Sequence, residues 1–134
     1  GADWRDFLDR RLASNGPDSQ SGWAAPQNMA AEAGGRFTRV RETGSHRQSA
    51  EDVAAGRADI AAIDGVTWRL VERFRPDVAR QLTVVTRTPP TPGLPFITGR
   101  ADLAPALFDA LGTAIATLPS ATTGLRGIVT GVLQ

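Results

Sequence analysis

The sequence predicts an α/β domain built on a mostly parallel sheet. Three observations carry that expectation. Short apolar runs alternate with amphipathic stretches in the order strand, helix, four times over. The run "ADIAAID" (58–64) is almost wholly apolar and ends in an acid, as a strand covered on both faces does. Glycines stand where helices should stop, at Gly34, Gly35 and Gly56. With 134 residues the chain is long enough to close one hydrophobic core.

The elements follow in chain order. "WRDFLDR" (4–10) sets Trp4, Phe7 and Leu8 at helical spacing and predicts a short helix or turn. "RLASN" (11–15) is a short strand, followed by the polar loop "NGPDSQSG" and a helix running to about Ala33. Pro26 sits awkwardly in that helix. If the helix starts near Ser21, the proline ring meets the carbonyl of Gly22; the helix therefore starts later, with Pro26 at its first position, or it kinks. "RFTRVRE" (36–42) reads as the second strand. Ser45 with Gln48 fits a capping box and Ser49 with Asp52 a second, ahead of a helix to Ala55. The third strand is 58–64, and "GVTWRLVERF" then puts Val66, Leu70, Val71 and Phe74 on one helical face, stopped by Pro76. "LTVVTRT" (82–88) is the most β-rich run and the fourth expected strand. "PPTPGLP" (89–95) excludes helix and central strand and reads as an extended connector. Leu103, Leu107, Leu111 and Ile115 predict a last amphipathic helix, and 122–133 a further short one.

Composition removes several function classes. Fifteen basic residues, all arginine, face 14 acids, and the arginines are scattered among the acids, so nucleic acid is not an expected partner. The chain has no cysteine and one histidine, His46, which excludes a thiolate or multi-histidine metal site. Neither a P-loop nor G-x-G-x-x-G occurs, and no cofactor is expected. No apolar run approaches a membrane span, and the opening "GADWRDFLDRR" is charged rather than signal-like.

Ligands of open α/β sheets sit at the carboxyl ends of the strands. There this sequence places "NGPDSQSG", "TGSH", "DGVT" and "TPPTPG". A helix start carries unpaired amides and partial positive charge, serine hydroxyls add rotatable donors, and Gly22 permits close approach. Ser19, Gln20, Ser21 and Gly22 thus suit a small oxyanion, with His46 as one more donor. Plainer readings stand beside this one. Ser19 and Ser21 can serve only as caps, His46 as a surface or capping residue, and Asp64 as the N-cap of the next helix. Trp23 is a core residue or lines a site. A Ser–His–Asp triad of Ser21 or Ser19, His46 and Asp64 is a further alternative, although the elbow G-x-S-x-G is missing.

"NGPDSQSG", "TGSHRQSAEDVAAGRADIAAIDGVTW" and "RTPPTPGLPFIT", in this order, resemble the phosphate, phosphite and phosphonate substrate-binding proteins of ABC transporters, the PhnD-like branch of type II periplasmic binding proteins. The resemblance runs from about Arg11 to Thr98 and more loosely to the end. It implies a three-layer α/β/α lobe, one half of the two-lobed fold: residues 1–134 as a single lobe, core 11–98, C-terminal helices 101–134, partner lobe absent. It implies a phosphorus oxyanion held by Ser19, Gln20 and Ser21 with His46 nearby and Asp64 at the cleft border, binding without catalysis. The implied partners are a membrane permease and the missing first lobe, and the implied compartment for the full-length protein is the periplasm, or a lipid-anchored extracytoplasmic position. The isolated lobe is expected to bind weakly and to dimerise through surface the other lobe would cover. Two departures matter. The chain has no tyrosine, and where aminoalkyl-phosphonate binders carry acids it has Asp64 alone, with Leu94 in place of a carboxylate. Phosphate, phosphite or a small alkylphosphonate is therefore favoured. A ligand-sensing domain of a regulator with the same fold is the alternative, and a serine hydrolase the next.

Overall fold

The computed structural model describes residues 2–91, 93 and 95–118. The expected short helix at 122–133 and the comparison at Leu94 lie outside these. The described residues form two compact units, one ending at Pro90 and one beginning at Thr91.

The first unit holds a three-stranded, wholly parallel sheet of order β2-β1-β3: β1 (Arg11–Ser14), β2 (Arg39–Glu42) and β3 (Ile60–Ala61). Leu12 of β1 faces Val40 on one side and Ile60 on the other. β1 is the central strand, and Leu12, Ala13 and Ser14 are buried. β2 is an edge, and all four of its residues are exposed; its two arginines and Glu42 keep that edge from pairing with another chain. β3 is shorter and less buried than "ADIAAID" suggests. Among the described residues it has a neighbouring strand on one side only, and Ile60 and Ala61 are half-buried.

The second strand also starts later than expected. The carboxamide of Gln27 clamps the backbone of Phe37: Nε2 donates to the Phe37 carbonyl at 2.8 Å, and the Phe37 amide donates to Oε1 at 3.1 Å. With both backbone groups taken, residue 37 cannot join the ladder, and pairing begins at Arg39.

The fourth expected strand, 82–88, is not a strand. The amides of Gln81 and Leu82 are spent on turns back to Val78 and Ala79. Pro89 and Pro90, which have no N–H, follow immediately. The apolar residues of this run are used for packing instead: Val85 joins one core cluster and Leu82 the other, while Val84 remains exposed.

Helices α1 (Ala25–Glu32), α2 (His46–Ala54), α3 (Gly65–Phe74) and α4 (Pro76–Ala79) complete the first unit. A 3-10 helix, Trp4–Phe7, precedes them. One core cluster gathers Trp4, Leu12, Ala30 and Phe37; the other gathers Ala50, Val71 and Val78 from α2, α3 and α4. The architecture is therefore α/β around a small open parallel sheet. Ser45 caps α2 by accepting from the Gln48 amide at 3.1 Å, but Gln48 turns its side chain to Asp52 rather than back to the cap. The second expected box fails as well, because Ser49 is buried against Thr43 with 2.6 Å between hydroxyls.

Asp52 is the main buried charge, 2 % exposed. It accepts from Arg41 Nε at 2.5 Å, Gln48 Nε2 at 2.9 Å, and Arg57 Nε and Nη2 at 2.9 and 2.7 Å. Those donors hold its carboxyl well below the usual carboxylate range. At the start of β1, Arg11 grips Asp59 through its amide and guanidinium, tying the first strand to the third.

The second unit contains a 3-10 turn, Ala101–Leu103, leading into α5 (Ala104–Ala116). None of its described residues is buried. No helix among the described residues is long and apolar enough to cross a membrane.

Candidate functional site

The loop after β1 enters α1 through a π turn, Gln20–Ala24. This resolves the difficulty raised by Pro26. The Ser19 carbonyl accepts from both Trp23 at 3.1 Å and Ala24 at 3.0 Å, and the Ala25 amide reaches back to the Gln20 carbonyl. Widening the turn carries the Gly22 carbonyl away from the proline ring, and the α-helix proper begins at Ala25 with Pro26 in its first turn.

Ser19 is the N-cap of this turn, and its Oγ accepts from the Gly22 amide at 3.0 Å. A hydroxyl that accepts in this way keeps its own proton to donate elsewhere. Ser21 points to His46: Oγ and Nε2 are 2.9 Å apart. His46 opens α2, which the Ser45 cap fixes after the loop "TGSH". Its other ring nitrogen, Nδ1, lies 3.1 Å from the Ala62 carbonyl, just past β3. A carbonyl can only accept, so Nδ1 carries a proton, and Nε2 is the atom turned toward Ser21. The loops after β1, β2 and β3 thus converge on one imidazole.

Asp64 joins from the third loop. Its Oδ2 is 3.4 Å from His46 Nε2. It is also the N-cap of α3: Oδ1 accepts from the amides of Val66 and Thr67 at 3.0 and 2.9 Å, and Oδ2 from the Thr67 hydroxyl at 2.5 Å. Burial pushes this carboxyl up, but the Thr67 hydroxyl and amide, His46 and the Val66 amide together hold it below the ordinary range.

This is not the geometry of a nucleophilic triad. A triad acid holds the imidazole nitrogen away from the serine. Here Ser21 and Asp64 both lie on the Nε2 side, and a backbone carbonyl takes Nδ1.

The sequence did not signal two participants, Asn15 and the Ala62 carbonyl. Gly22 is buried and tightly enclosed: a side chain there would begin 1.8 Å from Asn15 Oδ1 and 3.1 Å from His46 Cε1. Glycine at 22 is thus required by its neighbours. Asn15 Oδ1 is shielded from solvent and has no hydrogen-bond partner. An asparagine ahead of Gly-Pro reads as a turn former, which concealed it. Gln20, in the π turn, is exposed. Trp23 lines a hollow of about 230 Å³ at the ends of β1 and β2, with Ser14, Gly16, Pro17, Val40 and Glu42. Ser19, Ser21 and His46 are not on its wall.

Two comparisons bear on these residues. The family model described as ABC transporter, phosphonate, periplasmic substrate-binding protein matches residues 2–129. No protein of curated function matches the chain.

Proposed function

The chain belongs to the phosphonate-binding periplasmic substrate-binding proteins of ABC transporters, and from that premise we propose that it captures phosphate, phosphite or a small alkylphosphonate at the Ser19–Gly22 turn. A substrate-binding component of this family works with a membrane permease and is not an enzyme. What remains to be assigned is the guest and the residues that hold it.

The observation that carries the assignment is the Ser21–His46 pair, 2.9 Å apart, at the head of a turn capped by Ser19. In the unliganded pair these two polar groups satisfy each other. An oxyanion seated between them takes the hydroxyl proton of Ser21 and that of Ser19, and His46 Nε2–H when the ring is charged. Gln20 borders the guest, Gly22 keeps the turn close, and Asp64 lies beside it on the Nε2 side of the imidazole. The side chains gathered at this turn are hydroxyls and an imidazole, so the guest is held by hydrogen bonds. The absence of an acid beyond Asp64 supports an alkyl or inorganic guest over an aminoalkyl one. The chain is one lobe, core 11–98, whose partner lobe completes the ligand shell; alone it binds weakly and self-associates.

Titration of the labelled chain by amide NMR tests this directly, with phosphate, phosphite, methylphosphonate and 2-aminoethylphosphonate. The expected result is saturable movement of the Gln20, Ser21, Gly22 and His46 amides with the first three, abolished by His46→Ala. Movement with none of the four, or movement confined to other residues, removes the assignment.

A further inference from the structure

We infer that Asn15 makes the site selective for an oxyanion that still carries a proton, its carboxamide oxygen accepting the guest's P–OH. This rests on the oxyanion reading above and sharpens it.

The argument begins with an unmet acceptor. Among the described residues, Asn15 Oδ1 is the buried side-chain polar atom left without a partner. Buried polar groups are paired almost without exception, and an isolated one calls for a donor supplied from elsewhere. This oxygen lies in the space a side chain at 22 would fill, with the Cε1 edge of His46 bordering the same space. It is therefore beside the Ser21–His46 pair and at the turn proposed to hold the guest.

The surroundings sharpen the chemistry. A fully ionised oxyanion offers only acceptors. It would meet donors at Ser19 and Ser21, and at His46 when the ring is charged, beside two acceptors, Asn15 Oδ1 and the Asp64 carboxylate 3.4 Å from His46. Asn15 presents its carboxamide oxygen, which accepts only, and the cap bonds of Asp64 hold its carboxyl below the ordinary range. A singly protonated phosphonate or phosphite matches this mixed lining, because one of its oxygens is a donor. A tetrahedral anion of equal charge without that proton leaves Asn15 unmatched and is disfavoured, as sites built around a buried hydrogen-bonding group reject analogues lacking the matching group.

The test compares two tetrahedral monoanions of similar size, methylphosphonate and dimethylphosphinate, at about pH 5.5, where the phosphonate retains one proton and the phosphinate has none. Amide NMR titration of the intact chain gives both dissociation constants. We expect methylphosphonate to bind about tenfold more tightly. The preference should vanish in Asn15→Leu, which keeps the bulk and removes the acceptor, and persist in Asn15→Asp, which keeps the acceptor. Gly22→Ala, whose methyl takes the oxygen's position, should abolish the preference too, and serves if Asn15→Leu does not fold. Equal affinity for the two anions in the wild-type chain, or an undiminished preference in both Asn15→Leu and Gly22→Ala, overturns the role of Asn15 and leaves the oxyanion site standing. Binding of neither anion removes both.

Discussion

Replacing Asp52 tests how the loop carrying His46 is held. The buried carboxylate joins Arg41 of β2 to Gln48 and Arg57 around α2 through four hydrogen bonds of 2.5 to 2.9 Å. Losing one partner of a buried pair costs about 3–5 kcal/mol when the other charge stays buried. Here both arginines are about half exposed and recover water once released, with side-chain exposures of 51 % and 47 %. The lower end of that range applies, and we expect Asp52→Ala to lose about 3 kcal/mol. In urea that moves the midpoint down by roughly 1–2 M. The pH dependence follows from the same contacts. The folded carboxyl titrates below its unfolded value, so its stabilisation is complete above about pH 4 and fades as the pH falls toward the folded value. Asp52→Asn should therefore flatten the acid limb of the stability curve, with the larger difference from wild type above pH 4. A midpoint within about 0.3 M of wild type for Asp52→Ala, or an unchanged acid limb for Asp52→Asn, would refute the assignment of this cluster as the tie between β2 and α2.

Other expectations follow from single contacts. Asp64→Ala removes the cap that serves two amides and one hydroxyl of α3 and should cost about 1–2 kcal/mol by chemical denaturation; a loss under about 0.3 kcal/mol argues against the cap. Gln27→Leu frees both backbone groups of Phe37, and hydrogen exchange at the Phe37 amide should rise well above that of Val40; unchanged protection would show that the clamp is not what holds it. Ser21→Ala should weaken methylphosphonate binding about tenfold with the circular dichroism unchanged, and an unaltered dissociation constant would place the guest elsewhere.

Much of this was legible because it depends on local chemistry. Ser45 before His46, Asp64 before Gly65 and Gly56 after Ala55 each mark a helix boundary through short-range geometry, and the boundaries fall there. Gly56, for instance, adopts φ +69°, which side chains disfavour. The convergence of Ser21 and His46 was legible only through the order of the loops, since parallel strands bring their carboxyl ends together. Misreadings came where a distant residue outcompetes a local pattern. Residues 36–38 have strand propensity, yet Gln27 takes the backbone of Phe37. The run 82–88 has the highest β propensity, yet its apolar side chains fill two clusters without a ladder. Asn15 escaped notice because its environment is made by Gly22 and His46, which are remote in sequence or lack a side chain to suggest contact.

The wide turn ahead of Pro26 has a consequence for how this chain tolerates change. A pyrrolidine ring cannot be compressed, so it acts as a mechanical stop that keeps the preceding coil from tightening by one residue. Tightening would swing the Ser21 hydroxyl away from the imidazole and disturb the Ser19 cap on Gly22. The course of the Ser19–Gly22 turn is thus governed from downstream, and on the oxyanion reading proposed above an exchange at position 26 should weaken binding although every residue proposed to hold the guest is retained.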